Sequence, residues 1–244
     1  MNIRIQTVAE TGSTNDDVMV LARQGEPEGL WLRAERQTDG RGRQGRTWES
    51  PPGNLFTSGL IRLRDGDPAP GTLAFVASLA LYQTVSHCLS LLTVDDPEAI
   101  QLLLKWPNDL FLDGKKLSGI LLEREADAIV IGVGVNLAHH PGDLDRPVTS
   151  LAAYGPAPSP DDFLADLAGR FSALLGGWRS HGPAPILANW LRHAHSQGSS
   201  LTVHDPSGEI MTGTFDGLTE EGALRLRLAD GSVHVMHAGD VFLV

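Results

Sequence analysis

The stretch IQLLLKWPNDLFLDGKKLSGILLERE, residues 100–125, contains three short apolar runs separated by the polar segments PND and DGKK. Asp113 and Gly114 form a dipeptide that is typical of a two-residue β-hairpin turn. A further apolar run, AIVIGVGVNL at residues 128–137, follows directly and is typical of a buried strand. Such short connections join antiparallel strands, whereas parallel strands need a long crossover. The pattern therefore predicts a mixed or antiparallel central sheet.

Further strands and helices precede and follow this region. The segments GLWLRAERQ, residues 29–37, and NLFTSGLIRL, residues 54–63, have the composition of strands. Apolar residues recur at helical spacing in four regions, which are 13–25, 72–92, 163–178 and 186–190. In the first region a Ser, Thr or Asn at positions 13–15 can cap the helix. We expect the helices to cover the sheet, which gives an α+β fold.

The hydrophobic pattern of the sequence changes at about residue 198. Short alternating segments, broken by Gly, Asp and Pro, then continue to the last residue. Short strands at such spacing indicate a small β-barrel. We therefore predict two domains, a larger one at residues 1–197 and a small C-terminal barrel at residues 198–244.

Composition narrows the class of protein. The chain has 244 residues, a net charge of -11 and one cysteine, Cys88. Nucleic-acid binders usually carry a broad basic face, and one thiol cannot build a disulfide framework. The N-terminus lacks the basic-then-apolar order of a signal peptide. Polar residues interrupt the most apolar stretch, residues 72–92. We expect a cytoplasmic protein that binds neither nucleic acid nor a membrane.

The segment TDGRGRQGRTW, residues 38–48, lies between two predicted strands and has the composition of a ligand-binding loop. Glycines let several backbone N–H groups approach an anion, while Arg41, Arg43 and Arg46 add fixed positive charge. The loop matches neither a Walker A motif nor a dinucleotide fingerprint. A phosphate or carboxylate suits it, and a solvated surface turn is the alternative. Trp48 suits either a planar ligand or the core.

A second polar cluster follows the strand that ends at Trp106. Lys105, Asn108 and Asp109 stand at this strand end, where side chains can converge on a ligand, although Asp109 also suits a turn. Lys115 and Lys116 are adjacent on a strand, so at most one of them points into a site.

The strand end GVGVN, residues 132–136, is a third candidate. Gly132 and Gly134 leave room on one face for another group, and Asn136 suits either ligand binding or capping of the next turn. The nine histidines match no zinc-binding pattern, so no metal ligand is assigned from the sequence.

The order and spacing of these clusters resemble the catalytic domain of biotin protein ligases. The resemblance rests on STND at 13–16, ERQTDGRGRQGRTW at 35–48, KWPNDLFLDGKKLSGILLE at 105–123, IGVGVNL at 131–137 and TSL at 149–151. It implies a class II synthetase-like catalytic domain followed by a small SH3-like β-barrel. It also implies an enzyme that uses ATP and Mg²⁺ to make biotinyl-5'-adenylate. The enzyme then transfers biotin to a lysine of the biotin carboxyl carrier protein of acetyl-CoA carboxylase.

The resemblance also implies roles for individual residues. The predicted catalytic residues are Arg43, Lys116, Lys105 and Asp109. The predicted biotin-binding residues are Ser13, Thr14, Asn15, Gln37, Gly40, Arg41, Gly42, Arg43, Lys116 and Gly119. The predicted ATP-binding residues are Arg41, Arg43, Arg46, Trp48, Asn108, Lys116 and Asn136. Mg²⁺ is expected to be held mainly by the ATP phosphates, and the adenine contacts of residues 138–148 are left undecided.

Some features of the family are expected to be absent here, and alternatives stay open. The first motif begins at residue 13, which implies a ligase without the N-terminal DNA-binding domain of some relatives. A lipoate or octanoyl ligase of the same superfamily is the nearest alternative, although its R-R-x-S-G-G-G motif is missing. A nucleic-acid-binding module and an inactive scaffold are further alternatives. A homodimer is left open, because exposed sheet edges can pair.

Overall fold

Two β-sheets and four α-helices build the part of the protein that the structure describes. The computed structural model describes residues 1–92, 100–142, 147–205 and 207–243. The larger sheet has seven strands in the order β1-β2-β3-β7-β6-β5-β4, and the smaller sheet has five in the order β11-β10-β9-β8-β12. The predicted α+β class with a mixed central sheet and a C-terminal all-β unit is confirmed.

The seven-stranded sheet carries the motifs found in the sequence. Its strands are β1 (Arg4–Thr11), β2 (Leu30–Gln37), β3 (Leu55–Arg62), β4 (Leu102–Lys105), β5 (Asp109–Leu112), β6 (Lys115–Glu125) and β7 (Ala128–Val135). Only β1 and β2 pair in parallel within this described sheet, while the other neighbours are antiparallel. Asp113 and Gly114 both have positive φ, 49° and 72°, as a tight hairpin turn requires. The turn joins β5 to β6 as predicted.

Helices cover both faces of this sheet. They are α1 (Thr14–Arg23), α2 (Leu73–Ser90), α3 (Pro160–His181) and α4 (Ala184–Arg192). Alternate residues of β2 point to opposite faces of the sheet. Trp31 belongs to the core that α2, α3 and α4 cover. Leu30 and Leu32 pack on the other face with Val18 and Ala22 of α1. Fully burying one such side chain contributes about 1.5–3 kcal/mol. The two apolar layers fix α1 and its N-terminal residues against the sheet.

Helix α1 begins where the sequence indicated, but its cap differs from the expectation. Ser13 occupies the N-cap position with an extended backbone, and its side chain makes no capping hydrogen bond. Ser13 is instead buried and lines the cavity described below.

The second helix, α2, is the most apolar of the four. Within the described residues, the segment 70–90 alone is long and apolar enough to cross a membrane, and 61% of its most apolar window is buried inside the protein. The interior of the protein therefore accounts for most of this apolar surface.

The smaller sheet consists of β8 (Ser200–His204), β9 (Ile210–Leu218), β10 (Leu224–Arg227), β11 (Val233–Met236) and β12 (Asp240–Leu243), all antiparallel. It packs against the larger part of the chain. Trp106 donates from Nε1 to the carbonyl oxygen of Gly222 at 3.0 Å, and Gly222 lies so near Phe75 that a Cβ there would come within 2.3 Å of the ring. The predicted domain boundary at residue 198 falls just before β8 and stays a prediction.

Candidate active site

A cavity of about 350 Å³ lies between the seven-stranded sheet, the loop after β2 and strand β12. This volume suits a small organic ligand. The cavity brings together fourteen of the sixteen predicted catalytic and ligand-binding residues. They are Ser13, Thr14, Asn15, Gln37, Arg41, Gly42, Arg43, Arg46, Trp48, Lys105, Asn108, Asp109, Lys116 and Gly119. Segments that lie far apart in the chain therefore form one site.

One end of the cavity is a buried network of uncharged polar groups. The start of α1 places Ser13, Thr14 and Asn15 there, each with no more than 5% of its surface exposed. Gln37, at the end of β2, accepts hydrogen bonds at Oε1 from the Thr14 backbone N–H at 2.8 Å and from the Thr14 hydroxyl at 3.0 Å. The network therefore presents uncharged hydroxyl and amide groups to a ligand.

The floor of the cavity depends on glycines in β6 and β7. Gly119 pairs with Gly134 across these strands, and the Trp48 ring lies against both. A Cβ at Gly134 would lie 2.6 Å from the ring, and one at Gly119 would lie 3.3 Å from it. A Cβ at Gly132 would lie 2.3 Å from the amide oxygen of Asn15. The expectation that the glycines leave room for another group is confirmed.

Lys116 is the buried cation of the site. It is 8% exposed, its Nζ lies 2.5 Å from Oδ1 of Asp109, and it stands 5.7 Å from the centroid of the Trp48 ring. Lys115 is exposed, as the alternation of a strand requires. Asp109 therefore neutralises a charge that would otherwise be costly to bury.

Two arginines of the loop are held by acidic residues. Arg41 donates to both carboxylate oxygens of Asp16, at 2.7 and 2.6 Å, and Arg46 forms an ion pair with Asp240 of β12. The hydrogen bonds to these carboxylates are the main cause that raises the pKa of each guanidinium, while partial burial opposes it. Both arginines stay positively charged at the rim of the cavity.

Arg43 lies deeper than its two neighbours in the loop. Its guanidinium donates to the side-chain oxygen of Asn108 and to the carbonyl oxygen of Gly239, both at 3.3 Å. Burial lowers its pKa, and the carboxylates of Asp240 and Asp109 act in the opposite direction. Arginine stays protonated under such a shift, so Arg43 and Lys116 provide a cationic wall.

Lys105 lies between two aromatic rings at the mouth of the cavity. Its Nζ is 4.7 Å from the ring centroid of Phe111 and 5.5 Å from that of Phe242. Both distances fit a cation–π contact. The lysine thereby connects β5 with β12 of the smaller sheet.

Two of the predicted residues stand behind the cavity wall. Gly40 closes the base of the loop, where its carbonyl oxygen accepts from the Trp48 backbone N–H at 2.8 Å. Asn136 is buried and donates from Nδ2 to the carbonyl oxygen of Thr149 at 3.0 Å. A direct ligand contact of either residue stays a prediction.

Two questions that the sequence left undecided concern ATP: the adenine contacts of residues 138–148 and the residues that hold a metal ion. Residues 143–146 of the segment 138–148 lie outside the described residues. In the part of the chain that is described, no group of three or more His, Cys, Asp or Glu side chains could hold a metal ion.

The sequence did not reveal four further contributors to the site, which are Ser58, Glu123, Asp240 and Phe242. Ser58 is fully buried in β3, and Glu123 near the end of β6 accepts from Nδ2 of Asn15 at 2.7 Å. The pairing of β3, β6 and β7 brings these residues to the start of α1. A strand pattern indicates which residues share a face, but it does not indicate which helix terminus covers that face.

Comparison with known proteins identifies the family of both parts of the chain. Residues 9–136 match the biotin/lipoate A/B protein ligase family, and residues 198–244 match the biotin protein ligase C-terminal domain. These matches include every motif between the start of α1 and the end of β7, and the whole smaller sheet.

Full-length relatives and a solved structure agree with these matches. A biotin--[acetyl-CoA-carboxylase] ligase of Paracoccus denitrificans is 36% identical over 96% of this chain and 98% of its own. A ligase of the same name from Mycobacterium tuberculosis is 34% identical over 98% of this chain and 88% of its own. The fold is similar to that of the biotin protein ligase of Aquifex aeolicus, solved with biotin and ATP, with a TM-score of 0.83, 24% identity and coverage of 99% and 98%. The chain therefore belongs to the biotin protein ligase family.

Proposed function

We propose that this protein uses ATP to convert biotin into biotinyl-5'-adenylate and then transfers biotin to a lysine of a biotin carboxyl carrier protein. The observation that carries the proposal is the polarity of the cavity. The uncharged network at Thr14 and Gln37 suits the ureido ring, Leu121 provides apolar wall for the valeryl chain, and Arg43 with Lys116 suits the carboxylate.

The first half-reaction joins two anions. A carboxylate oxygen of biotin attacks the α-phosphorus of ATP, and the bond to pyrophosphate breaks. Arg43 and Lys116 reduce the repulsion between the anions and stabilise the negative charge that develops on the phosphoryl oxygens. Trp48 lines the same cavity, and its buried Nε1–H has no partner among the described residues.

Mg²⁺ fits this site as a companion of the nucleotide. The acidic side chains at the cavity, Asp109 and Asp240, each accept from a basic group, and no described cluster of acids and histidines is suited to hold a metal by itself. When bound to the phosphates, Mg²⁺ supplies charge neutralisation. Arg46, Asn108 and Arg43 are our candidates for the adjacent nucleotide contacts.

The second half-reaction needs an uncharged carrier lysine. Its amine attacks the acyl carbonyl carbon of the adenylate, an amide bond forms, the bond to the phosphate oxygen breaks, and AMP leaves with the electron pair. Asp109 lies on the cavity wall beside Lys116, so we assign it to accept or orient the ammonium proton. Lys105 at the mouth adds positive charge near the leaving phosphate. We expect the reaction to occur in the cytoplasm.

The intact mass of a purified carrier domain tests the proposal. The carrier is incubated with the full chain, Mg²⁺, ATP and biotin, and parallel reactions omit ATP or replace biotin with lipoate. We expect a gain of one biotinyl group that depends on ATP. A gain with lipoate but not with biotin would assign the protein to the lipoate branch of the superfamily, and no gain with either acid would reject ligase activity on that carrier.

A further inference from the structure

A chain of oxygen atoms at the buried end of the cavity lacks one proton. The Ser58 hydroxyl lies 2.5 Å from Oδ1 of Asn15 and 2.7 Å from the hydroxyl of Thr14, which lies 3.0 Å from Oε1 of Gln37. Each of these three oxygen–oxygen contacts needs a proton to be a hydrogen bond. Ser58 and Thr14 provide one hydroxyl proton each, so two protons serve three contacts.

Rotation of the amide groups cannot supply the missing proton in this structure. The Oε1 of Gln37 must face Thr14, because it also accepts from the Thr14 backbone N–H at 2.8 Å. Nδ2 of Asn15 lies 2.7 Å from a carboxylate oxygen of Glu123. A carboxylate accepts but does not donate, so Asn15 directs its NH₂ group to Glu123 and its oxygen to Ser58.

When Thr14 donates to Ser58 and Ser58 donates to Asn15, no donor reaches the Thr14 hydroxyl oxygen, while Oε1 of Gln37 keeps only the hydrogen bond from the Thr14 backbone N–H. Ser58 is completely buried, and Thr14 and Asn15 are 3% and 5% exposed. A ligand that covers these oxygens without donating to them leaves a buried acceptor unsatisfied, which costs about 1–3 kcal/mol. A ligand N–H that reaches the Thr14 or Gln37 oxygen would complete the chain, because both residues line the cavity.

We propose that Ser58 and Glu123 are positioning residues that make the buried end of the cavity select for an N–H donor. Glu123 fixes the amide of Asn15, the amide oxygen of Asn15 accepts the hydrogen bond from Ser58, and the Thr14–Gln37 pair is left to accept from a ligand. This inference rests on the proposed function, since the ureido ring of biotin carries two N–H donors. An acid that lacks N–H groups in its acyl chain, such as lipoate, leaves the acceptor unsatisfied.

The test uses ligands that differ from biotin in one donor. In each of the two cyclic carbamate analogues of biotin, an oxygen replaces one ring N–H at nearly constant size. The dissociation constants of biotin and both analogues are measured on the full chain by calorimetry without ATP. We expect the protein to bind one analogue about tenfold more weakly than biotin, the ratio expected for one unsatisfied buried acceptor.

Two substitutions are expected to remove this discrimination by different routes. In Ser58→Ala the Thr14 hydroxyl no longer faces Ser58 and can donate or accept at the cavity, while Oδ1 of Asn15 loses its donor. In Glu123→Gln the new side chain can accept from or donate to Asn15, so the Asn15 amide can turn and donate to Ser58, and all three contacts are satisfied. In both variants the ratio of dissociation constants falls to less than about threefold, while the KM for ATP changes little. Glu123→Gln changes no buried volume, so it tests the inference even if Ser58→Ala does not fold.

Matched controls separate this effect from general damage. Ser78→Ala removes a buried hydroxyl that bonds to the Phe75 carbonyl oxygen of its own helix, and Glu125→Gln removes a carboxylate of β6 that pairs with Arg23. Both should keep the wild-type ratio. Arg41 lies 2.6 Å from a carboxylate oxygen of Asp16 and 3.7 Å from one of Glu123. The variant Asp16→Asn therefore tests whether Arg41 causes the effect, and we expect it to keep the wild-type ratio of dissociation constants.

Three results would overturn the inference. They are equal binding of biotin and both analogues by the wild type, an unchanged ratio in Ser58→Ala and Glu123→Gln, and a loss of the ratio in Asp16→Asn equal to that in Glu123→Gln. The last result would assign the effect to Arg41. Failure of the proposed function is recognised separately, because the wild-type chain would then neither bind biotin nor modify the carrier.

Discussion

Lys115 and Lys116 are adjacent and chemically identical, but their surroundings differ. Lys116 is buried against Asp109 and lines the cavity, whereas Lys115 is exposed. We predict that Lys116→Met lowers the rate of adenylate formation by about 10²-fold or more, because it removes charge stabilisation of the transition state. Lys115→Met, the matched control, should stay within about twofold. Biotin-dependent exchange of pyrophosphate into ATP measures both, and equal losses in the two variants would contradict the assignment.

We predict that His195 makes the free energy of unfolding depend on pH. It is 5% exposed, neither ring nitrogen has a partner within the described chain, and it packs edge-on against Phe215. Burial, followed by the charge of Lys105, lowers its pKa to about 4. Unfolded histidine, with a pKa near 6.5, binds a proton more readily, so stability is lost as the pH falls from about 6.5 to 4, by as much as about 3 kcal/mol.

Urea denaturation of the His195→Leu variant tests this dependence. We predict that the difference in unfolding free energy between pH 7.5 and pH 5 is smaller in the variant than in the wild type. His237→Gln, at an exposed histidine between β11 and β12, should keep the wild-type difference. An unchanged difference in His195→Leu would show that other groups cause the acid sensitivity.

At the scale of elements, the Trp48 ring packs directly on the backbone of β6 and β7 at Gly119 and Gly134, where a larger residue would clash with it. We predict that Gly134→Ala displaces the Trp48 ring, because its Cβ would come within 2.6 Å of ring atoms, and that the KM for biotin rises at least about tenfold. Gly169→Ala in α3, with no atom near the added Cβ, should leave the KM unchanged. Steady-state kinetics with both variants check the prediction, which an unchanged KM in Gly134→Ala would refute.

The loop of residues 38–46 is the element that we expect to respond to ligand. Arg41 and Arg46, which bond to Asp16 and Asp240, lie near the cavity rim. Closure over the adenylate would protect it from water. We predict slower hydrogen exchange of residues 38–46 on saturation with biotin, measured by mass spectrometry, with no comparable change in α3. Unchanged exchange in the loop would count against closure.

The sequence predicted the elements better than their contacts. The Asp-Gly turn, the alternation at Lys115 and Lys116 and the small residues at 132 and 134 each follow from local chemistry. By contrast, the side chain of Ser13 turns into the cavity region instead of capping α1. Its position depends on tertiary packing, which local propensity does not describe.

At the scale of the whole molecule, the smaller sheet completes the wall of the cavity. Asp240 and Phe242 lie on β12 but contact Arg46 and Lys105 of the larger part of the chain. The sequence predicted a small barrel but not how it packs against the larger part of the chain. Contacts between residues so far apart in sequence leave no periodic pattern from which they could be predicted. Because these residues line one shared cavity, motifs spread from residue 13 to residue 119 can act in one reaction.

Formation of the adenylate without a carrier is the most direct test of this site. The full chain is mixed with biotin, ATP and Mg²⁺, denatured, and assayed for biotinyl-5'-AMP by mass spectrometry, before and after addition of the carrier domain. We predict that the adenylate accumulates at up to one molecule per chain, and that added carrier converts it into AMP and biotinylated carrier. Biotinylation of the carrier without any detectable adenylate, or an adenylate formed from lipoate but not from biotin, would contradict the proposed reaction at this cavity.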